Sequence, residues 1–536
     1  MNDTISKKYK FWLIILLFIH ALLFIWAVAE QTFCLDGRQY VLLADDAMIS
    51  MKYAWNLVHN GELVWQSGNR VMGITNPGWT LIMASTMLFG LPLRISAVPV
   101  LCINLLINLA ILWIIFLIIQ KKYGLFCAFA STGWLTVSIP LLFWSVHGFE
   151  TPLQTLLITL ALIPLFSSES KKIVWSPIWL TLAFIVRPDA LVLLMIFPIV
   201  SLLLGTVPQN RKKNFVRAII ISGIVVILSI IAHRLYYGDW LPNTYYLKAT
   251  NSAKSLTQGF SYLAETIWVD GILPILGFAI IGVIFGIRQK VHRKKIVAIS
   301  ILSIIWISYI IWTGGDAFPH SRFLLPILPI IIFIAAAGLH FILQWISLQN
   351  LSLNKYLSTK QAVISAMIFL ILGFSYFWAV SSLDDFYGPD TNRVDRASIA
   401  ESLRELGLPE NTIIATFEAG TIPFLLPRFR YADLLGKNDR HIARTKAHPG
   451  LVGHNKWDFD YSLGKIRPDI IVTRDNYANF TDRKAFILLE NADKLPPNSV
   501  FFPVALWVHP LFKQHYRDNQ IQITTPFDTH WVYGRK

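Results

Sequence analysis

The sequence is poor in charged residues and in cysteine, and both scarcities restrict its class. Only 15% of the 536 residues are charged and 54% are hydrophobic, with a mean hydropathy of +0.52. A soluble core cannot bury that much apolar surface, so we expect an α-helical polytopic membrane protein. Of the three cysteines, Cys102 and Cys127 lie in apolar runs and Cys34 has no evident partner. The sequence therefore excludes a disulfide framework and does not indicate a redox compartment.

Other patterns are missing from the sequence as well. No internal repeat is evident, which weakens a secondary transporter built from two duplicated halves. The histidines of the C-terminal region lack the spacing of a zinc site, and no glycine-rich phosphate loop occurs. The formal net charge is +15. However, the lysines and arginines gather in short clusters between apolar runs, as in cytoplasmic loops, and do not indicate nucleic-acid binding.

Apolar runs and basic clusters together predict about eleven transmembrane helices, with the N-terminus inside and the C-terminus outside. We interpret the first run as an uncleaved signal anchor, because 19 residues are long for a signal peptide. The predicted spans are 11–29, 95–119, 125–145, 152–168, 173–187, 190–206, 216–235, 270–287, 296–313, 323–346 and 361–380.

The chain divides by composition into two predicted domains. Residues 1–380 form a transmembrane catalytic domain whose first outer loop covers 30–94, including an interfacial helix at 78–92. Residues 381–536 are mixed polar sequence, enough for one extracytoplasmic α/β domain. The predicted elements of that domain are strands at 411–417 and 468–473, helices at 394–406 and 439–444, and a strand-to-helix turn at 418–423.

Two adjacent carboxylates, Asp45 and Asp46, open a predicted helix directly after the first span. An apolar stripe of Ala47, Met51, Ala54 and Val58 recurs at helical spacing, and we expect it to lie on the bilayer surface. The pair would then be held at the water–lipid boundary, where an enzyme with a lipid-linked donor needs a base. The alternative is that one carboxylate simply caps the helix N-terminus.

Further polar residues are predicted at the outer ends of the spans, where buried charge is costly and usually lines a cavity. Structural alternatives exist: Arg187 and Asp189 could be a snorkelling pair, Glu150 a helix start, and His320 and Arg322 interface anchors. The polar groups lie in the segments WSVHGFE (144–150), RPD (187–189), LPNTYYLK (241–248) and GGDAFPHSR (314–322).

The order of several short motifs resembles a known family. DDAMISMKYAWN (45–56), GELVW (61–65) and GNRVMGITNPGW (68–79) are similar to the D-D-A-[FY]-I-[ST]-x-R-Y-A-x-N pattern and its continuation in polyprenyl-phosphate-dependent GT-C glycosyltransferases. The mycobacterial terminal β-(1→2) arabinofuranosyltransferases are the branch it resembles most. LPNTYY (241–246), GGD (314–316), DLLGKNDRHIAR (433–444), GHNK (453–456) and RPD (467–469) extend the likeness along most of the chain. Lys52, Met48 and the segment 72–74 depart from the pattern, which leaves the donor sugar open.

The resemblance implies an inverting transfer of a sugar, with arabinofuranose one candidate, from a polyprenyl-phosphate donor to a hydroxyl of a cell-envelope glycan or glycoconjugate. The transfer would occur on the outer face of the cytoplasmic (inner) membrane. A hydroxyl nucleophile needs a carboxylate base, and the leaving phosphate needs cations. The predicted catalytic residues are Asp45, Asp46 and Glu150. The predicted donor-phosphate ligands are Arg322, His320, Arg187 and Lys248, with Arg38 a weaker candidate. The predicted substrate contacts are Tyr53, Asn56, Asn76, Asp316 and Asn243.

The predicted partners are the lipid-linked donor, the glycan acceptor and membrane lipid, without nucleic acid. A divalent cation bridging the acid pair and the phosphate is chemically reasonable, and the metal is left open. The main alternative function is a lipid or sugar transporter or flippase, which would favour charges buried in mid-span. A non-catalytic scaffold would not need polar residues gathered at outer span ends.

Overall fold

A computed structural model describes residues 2–166, 170–248, 254–289, 293–316, 318, 320–348, 391–473, 501–525 and 529–536. The chain forms two compact units. The helical unit comprises Met1–Glu30, Leu101–Ile227 and Ser252–Tyr387, and the mixed unit comprises Gln31–Val100, Leu228–Asn251 and Gly388–Lys536. The predicted domain boundary at 380/381 lies outside the described residues and stays a prediction.

The long apolar runs of the sequence form helices, as predicted. Within the described ranges, five helices are long and apolar enough to cross a membrane, or up to seven if each of two bent pairs counts as one span. The bends are 43° between Leu125–Thr136 and Ile139–Val146, and 102° between Leu256–Val269 and Leu273–Arg288. The predicted span 361–380 lies outside the described residues, so the count of eleven stays a prediction. The helices up to residue 348 are Asn2–Glu30, Asp45–Asn60, Pro77–Met87, Val98–Tyr123, Leu125–Thr136, Ile139–Val146, Thr151–Phe166, Ser176–Val186, Leu191–Leu203, Lys212–Tyr237, Asn243–Lys248, Lys254–Val269, Leu273–Arg288, Arg293–Thr313 and Leu328–Leu348.

Small residues allow close helix packing inside the helical unit. A Cβ at Gly282 would lie 2.1 Å from the carbonyl oxygen of Ile334, and one at Gly338 would lie 2.0 Å from that of Phe278. The backbones of Leu273–Arg288 and Leu328–Leu348 therefore touch directly, as small residues permit in membrane helices.

The C-terminal part of the mixed unit is α/β, as predicted. Its sheet contains the strands β3 (Ile413–Thr416), β4 (Arg430–Asp433), β5 (Ile470–Thr473), β6 (Gln520–Thr524) and β7 (Thr529–Gly534). The strand order is β4-β3-β5-β7-β6, with β3 parallel to β4 and β5, and β7 antiparallel to β5 and β6. The core includes Leu434, Trp457, Ile471, Leu506 and Phe512. The helices are Thr391–Glu405, Thr421–Leu425, Asp460–Ile466 (a π-helix), Phe502–Val508 and Pro510–His515. A hairpin of β1 (Phe33–Leu35) and β2 (Arg38–Tyr40) precedes them in the chain.

The helix predicted to open at the acid pair is present as Asp45–Asn60, but its apolar stripe does not lie on a bilayer surface. Ala47, Met51 and Ala54 are at most 2% exposed and are covered by protein of the same unit. Pro77–Met87 and Thr421–Leu425 pack against this helix. The expectation was wrong because helical spacing identifies an apolar face and not what covers it.

Candidate functional site

The acid pair lies in the first turn of the helix Asp45–Asn60. The residue that caps this helix is Ala44, whose side chain makes no capping hydrogen bond. Asp45 instead accepts a hydrogen bond on Oδ1 from the backbone N–H of Thr421, at 2.8 Å. Asp45 therefore does not cap its own helix, which was the alternative considered from the sequence.

Asp45 also faces a carboxylate–guanidinium pair. Arg396 Nε lies 3.7 Å from Asp45 Oδ1 and 3.0 Å from Glu418 Oε2, and Arg396 Nη2 donates to Glu418 Oε1 at 3.0 Å. Gly420 lies against the start of the helix, where a Cβ would come within 1.9 Å of the Asp45 carbonyl oxygen. Sequence reasoning did not identify Arg396 or Glu418, because both are remote in sequence from the acid pair.

Asp46 is neutralised by a lysine that the sequence analysis did not single out. Lys437 Nζ lies 2.5 Å from Asp46 Oδ1. Burial alone would raise the pKa of Asp46, but Lys437, with Lys248 and His454, lowers it well below its usual range. Burial opposes the charge of Lys437 as well, yet Asp46 raises the pKa of that lysine. A carboxylate held in this state is a weak proton acceptor.

The loop that carries Lys437 is fixed by buried polar groups. Asp433 accepts hydrogen bonds from the backbone N–H groups of Leu435, Gly436 and Asn438 at 3.0, 3.0 and 2.7 Å. Such a carboxylate-organised turn orders the backbone that follows a strand. The sequence signal for Lys437 is the motif DLLGKNDRHIAR (433–444), which contains the lysine but does not by itself indicate its partner.

Two predicted substrate contacts hold the same loop from its other side. The Tyr53 hydroxyl donates to Asn438 Oδ1 at 2.9 Å, and Asn243 Nδ2 donates to the carbonyl oxygens of Gly436 and Lys437 at 2.9 and 3.1 Å. Their contact with substrate stays a prediction, and in the structure they position the Lys437 loop.

Asn56 and Asn76 are also buried and bonded to protein. Asn56 Nδ2 donates to the carbonyl oxygens of Val64 and Trp65, both at 2.8 Å, and Asn76 Oδ1 accepts from the Ser50 hydroxyl at 2.9 Å. These bonds order the first outer loop, and the predicted substrate contacts of Asn56 and Asn76 remain untested.

A second charged cluster lies in the helical unit and contains most of the other predicted site residues. Glu150 Oε1 accepts from Arg187 Nη1 at 2.5 Å and from Arg322 Nη2 at 3.0 Å. Asp189 Oδ2 bonds Arg187 Nε at 2.7 Å, and Asp316 Oδ2 bonds Arg322 Nη1 at 3.4 Å. The segments 144–150, 187–189 and 314–322 thus meet, as the sequence analysis expected of polar residues at span ends. Arg322 Nε is buried and has no hydrogen-bond partner among the residues that the structure describes.

The turn that presents Arg322 has unusual backbone geometry. His320 and Ser321 have φ values of 60° and 49°, which non-glycine residues seldom adopt and which cluster at functional sites. Asp270 holds the turn: its Oδ1 lies 3.0 Å from His320 Nδ1, and its Oδ2 accepts from the Ser321 hydroxyl. Asp270 is fully buried and was not identified from the sequence.

The other predicted donor-phosphate ligands, Lys248 and Arg38, lie outside the Arg322 cluster. In the mixed unit Lys248 lies close enough to Asp46 to lower the pKa of that carboxylate, and its Cε would lie 3.4 Å from a Cβ at Gly453. Arg38 is exposed on β2. Among the described residues, no group of three or more His, Cys, Asp or Glu side chains is placed to hold a metal ion.

Comparisons with known proteins give one family and several similar folds. The profile of the Alg9-like mannosyltransferase family matches residues 79–392, which is more than half of the chain. A domain of unknown function (DUF8728) matches residues 390–524. No curated protein sequence matches the chain significantly.

Solved structures share the fold at low sequence identity. ArnT from Cupriavidus metallidurans in the apo state has a TM-score of 0.58 at 12% identity, with 96% of this chain and 97% of ArnT covered. The same protein bound to undecaprenyl phosphate has a TM-score of 0.59 at 11% identity, with 97% and 98% covered. The Archaeoglobus fulgidus oligosaccharyltransferase, tethered with an acceptor peptide, has a TM-score of 0.57 at 11% identity, covering 98% of this chain and 74% of that one.

Proposed function

We propose a specific reaction for this chain, which belongs to the Alg9-like mannosyltransferase family and is a multi-pass membrane glycosyltransferase of the GT-C superfamily. The reaction is the inverting transfer of one sugar from a polyprenyl-phosphate donor to a hydroxyl of a cell-envelope glycan or glycoconjugate. It takes place on the outer face of the cytoplasmic membrane. Arabinofuranose is the candidate sugar that the motifs of the first outer loop favour, and mannose is the one that the family description names.

The observation that carries the proposal is the unequal state of the two acidic residues. Asp46 is engaged by Lys437 at 2.5 Å, whereas Asp45 uses Oδ1 for the Thr421 N–H. No residue that the structure describes donates a hydrogen bond to Asp45 Oδ2. Asp45 is therefore the base of the proposed reaction and Asp46 the acid that orients Lys437. General-base catalysis by such a group contributes typically about 10²–10⁴-fold.

The proposed step balances in atoms and charge. The acceptor oxygen attacks the anomeric carbon on the face opposite the phosphate, and its proton goes to Asp45 Oδ2. The bond between the anomeric carbon and the phosphate oxygen breaks, and the electron pair leaves with the polyprenyl phosphate, which becomes a dianion. Asp45 then releases the proton to solvent.

Cations are needed to stabilise that dianion. Arg322 is our first choice, because its planar fork suits phosphate and its buried Nε lacks a partner among the described residues. Lys248, beside the acid pair, is the first choice within the mixed unit, and Arg187 and His320 belong to the Arg322 cluster. The ArnT structure with undecaprenyl phosphate supports a polyprenyl-phosphate donor on this fold.

The test is a transfer assay with the full-length protein in nanodiscs. Synthetic short-chain polyprenyl-phosphate arabinofuranose and polyprenyl-phosphate mannose are offered in parallel, with envelope glycans from a deletion strain as acceptors. We expect one donor to label the deletion-strain glycans at a terminal position that mass spectrometry finds missing in that strain. The same glycan profile in deletion strain and wild type, together with no transfer from either donor, would contradict the proposal.

A further inference from the structure

A cavity of about 400 Å³ lies in the mixed unit along the C-terminal half of the helix Asp45–Asn60. Its lining includes Lys52, Trp55, His59 and Gln66, with Glu410 and Arg428 from the C-terminal part of the unit. At 1.5 Å per residue, Trp55 is about 14 Å along the helix axis from Asp46. The cavity, whose lining also includes the predicted substrate contact Asn56, is thus separate from the acid pair.

The cavity wall contains a buried lysine, Lys52, that has no counter-ion among the described residues. Lys52 is 1% exposed, and its Nζ donates to the carbonyl oxygen of Pro427 at 2.7 Å. It lies over the rings of Trp55 and Tyr431, 5.1 and 5.9 Å from their centroids. No carboxylate among the residues that the structure describes forms an ion pair with it. Lysine is almost never fully buried unless it is paired, so this cation indicates an anionic ligand.

The rest of the lining matches a polyhydroxylated ring. Trp55 and His59 stack with centroids 4.4 Å apart and planes 13° from parallel, which gives an aromatic surface beside the lysine. Gln66 Oε1 accepts the backbone N–H of Tyr431 at 3.0 Å, so its amide N–H groups are the part left to donate. An acyl chain would require a mostly apolar lining, whereas most of the side chains here are polar or charged.

We propose that this cavity binds a carbohydrate that carries an acidic group, either a carboxylate or a phosphate. The acidic group pairs with Lys52 Nζ, the sugar ring lies along the Trp55–His59 stack, and Gln66 and Arg428 bond its oxygens. This proposal concerns binding alone. Its readout needs no donor and no transfer, so its failure and that of the proposed glycosyltransferase reaction are distinguishable.

Two exposed side chains of opposite charge at the rim of the cavity allow the charge of the ligand to be tested. Glu410 and Arg428 form an ion pair at 3.2 Å, and their side chains are 72% and 76% exposed. Glu410 repels an acidic ligand and Arg428 attracts it. Because both side chains are in water, replacing either one cannot unfold the unit through lost packing.

Calorimetric titration of the full-length protein in neutral-lipid nanodiscs tests the proposal. The probes are trigalacturonate with its methyl ester, mannose 6-phosphate with mannose, and inorganic phosphate. We expect at least one acidic sugar to bind about tenfold or more tightly than its neutral counterpart, since a buried ion pair is lost with the charge. Which pair shows the difference identifies a carboxylate or a phosphate. Equal binding within both pairs, no binding of any sugar, or inorganic phosphate binding as tightly as the best sugar would each overturn the proposal.

Variants locate the binding in this cavity. Lys52→Met should bring the affinity for the acidic sugar down to that of its neutral counterpart, and Trp55→Ala should weaken both. Glu410→Gln should tighten the acidic sugar about threefold and Arg428→Gln should weaken it about threefold, as expected for single charges acting through water. Lys446→Met, an exposed lysine of the same unit, is the matched control and should leave binding unchanged. If the two rim variants shift affinity in the same direction, or not at all, the ligand is not in this cavity.

The pH dependence of the binding affinity is an independent test of the role of Lys52. Burial lowers the pKa of Lys52 to about 7, so this lysine loses its proton as the pH rises through neutrality. An anion binds the protonated form, and affinity for the acidic sugar should therefore fall up to about tenfold per pH unit between pH 7 and 9. His59, Glu410, Arg428 and Tyr431 are the other charged or titratable groups that face Lys52. The Lys52→Met variant keeps all four, so a slope that persists unchanged in that variant would overturn the assignment to Lys52.

Discussion

At the scale of single residues, the acid pair is asymmetric, and the asymmetry is testable. Asp45→Asn keeps a side-chain oxygen that can accept the Thr421 N–H, so the fold and donor binding should survive. Transfer should fall at least about 10²-fold, because the amide cannot take the acceptor proton. The measurement is the rate of transfer from a short-chain donor, alongside thermal unfolding of the same preparation. A near-normal rate for Asp45→Asn would remove Asp45 as the base.

Replacing Asp46 should mainly lower the stability of the fold. Asp46→Asn leaves Lys437 buried without its carboxylate partner, and removing one member of a buried pair costs about 3–5 kcal/mol. Because Asp46 is about one-third exposed, solvent screening should reduce that cost, and we expect the free energy of unfolding to fall by about 1–2 kcal/mol. The double variant Asp46→Asn, Lys437→Met should recover stability, as chemical denaturation of both variants will reveal. If Asp46→Asn is as stable as the wild type while the double variant is not, Lys437 has another essential partner.

Arg322 is the residue on which leaving-group stabilisation depends in our proposal. Arg322→Ala should lower kcat/KM by about 10²–10³-fold, the usual loss for one donor to a developing charge. Arg322→Lys should restore only part of it, because an ammonium lacks the planar fork that matches phosphate. Glu150 keeps Arg187 as a partner in both variants, so neither leaves that buried carboxylate unpaired. Steady-state kinetics against donor concentration provide the measurement.

Arg217→Ala, an exposed arginine outside the cluster, serves as the control for Arg322 and should behave as wild type. Wild-type kinetics for Arg322→Ala would transfer the leaving-group role to Arg187 or Lys248.

Much of the charged chemistry could be predicted from the sequence, because charges are costly at membrane depth and therefore conspicuous. Glu150, Arg187 and Arg322 were identified in this way, and the structure brings them together. Lys437 could not be paired with Asp46 from sequence, since 391 positions separate them and no spacing rule connects residues so far apart. Asp270 was missed for the same reason: its partners, His320 and Ser321, are 50 and 51 residues away.

At the scale of secondary-structure elements, the start of the helix Asp45–Asn60 depends on a glycine in another segment. A Cβ at Gly420 would collide with the Asp45 carbonyl oxygen at 1.9 Å. Gly420→Ala should therefore displace the helix start, cost about 1–3 kcal/mol as overpacking does, and reduce transfer. Gly277→Ala is the control, because no atom of the described part of the chain lies within 4 Å of a Cβ there. Equal thermal stability and equal activity in the two variants would show that the contact is not required.

Short hydrophobic sequence patterns predicted secondary-structure elements best where every residue of the element is buried. The run that forms β5 is buried at every position, which is why an unbroken β-branched sequence identified it. The edge strands β4 and β6 carry mixed polar sequence, so no run of that kind marked them. Hydropathy likewise found the run 125–145 but not its 43° bend, because composition does not encode where a helix breaks.

At the scale of the whole molecule, the remaining prediction is the orientation of the chain in the membrane. Five basic residues lie between 288 and 295, and positively charged loops stay in the cytoplasm. The spans that follow should carry residue 400 to the other side, together with the helix Thr391–Glu405 and Arg396, which faces Asp45. Alkaline phosphatase, which is active only outside the cytoplasm, should be active when fused after residue 400 and inactive when fused after residue 292. A reporter that is active only in the cytoplasm should show the opposite pattern.

Because Arg396 and Asp45 belong to one compact unit, a cytoplasmic signal at 400 would put the acid pair inside the cell. Transfer to an outer-face acceptor would then be excluded, even if the Asp45 variant had lost activity.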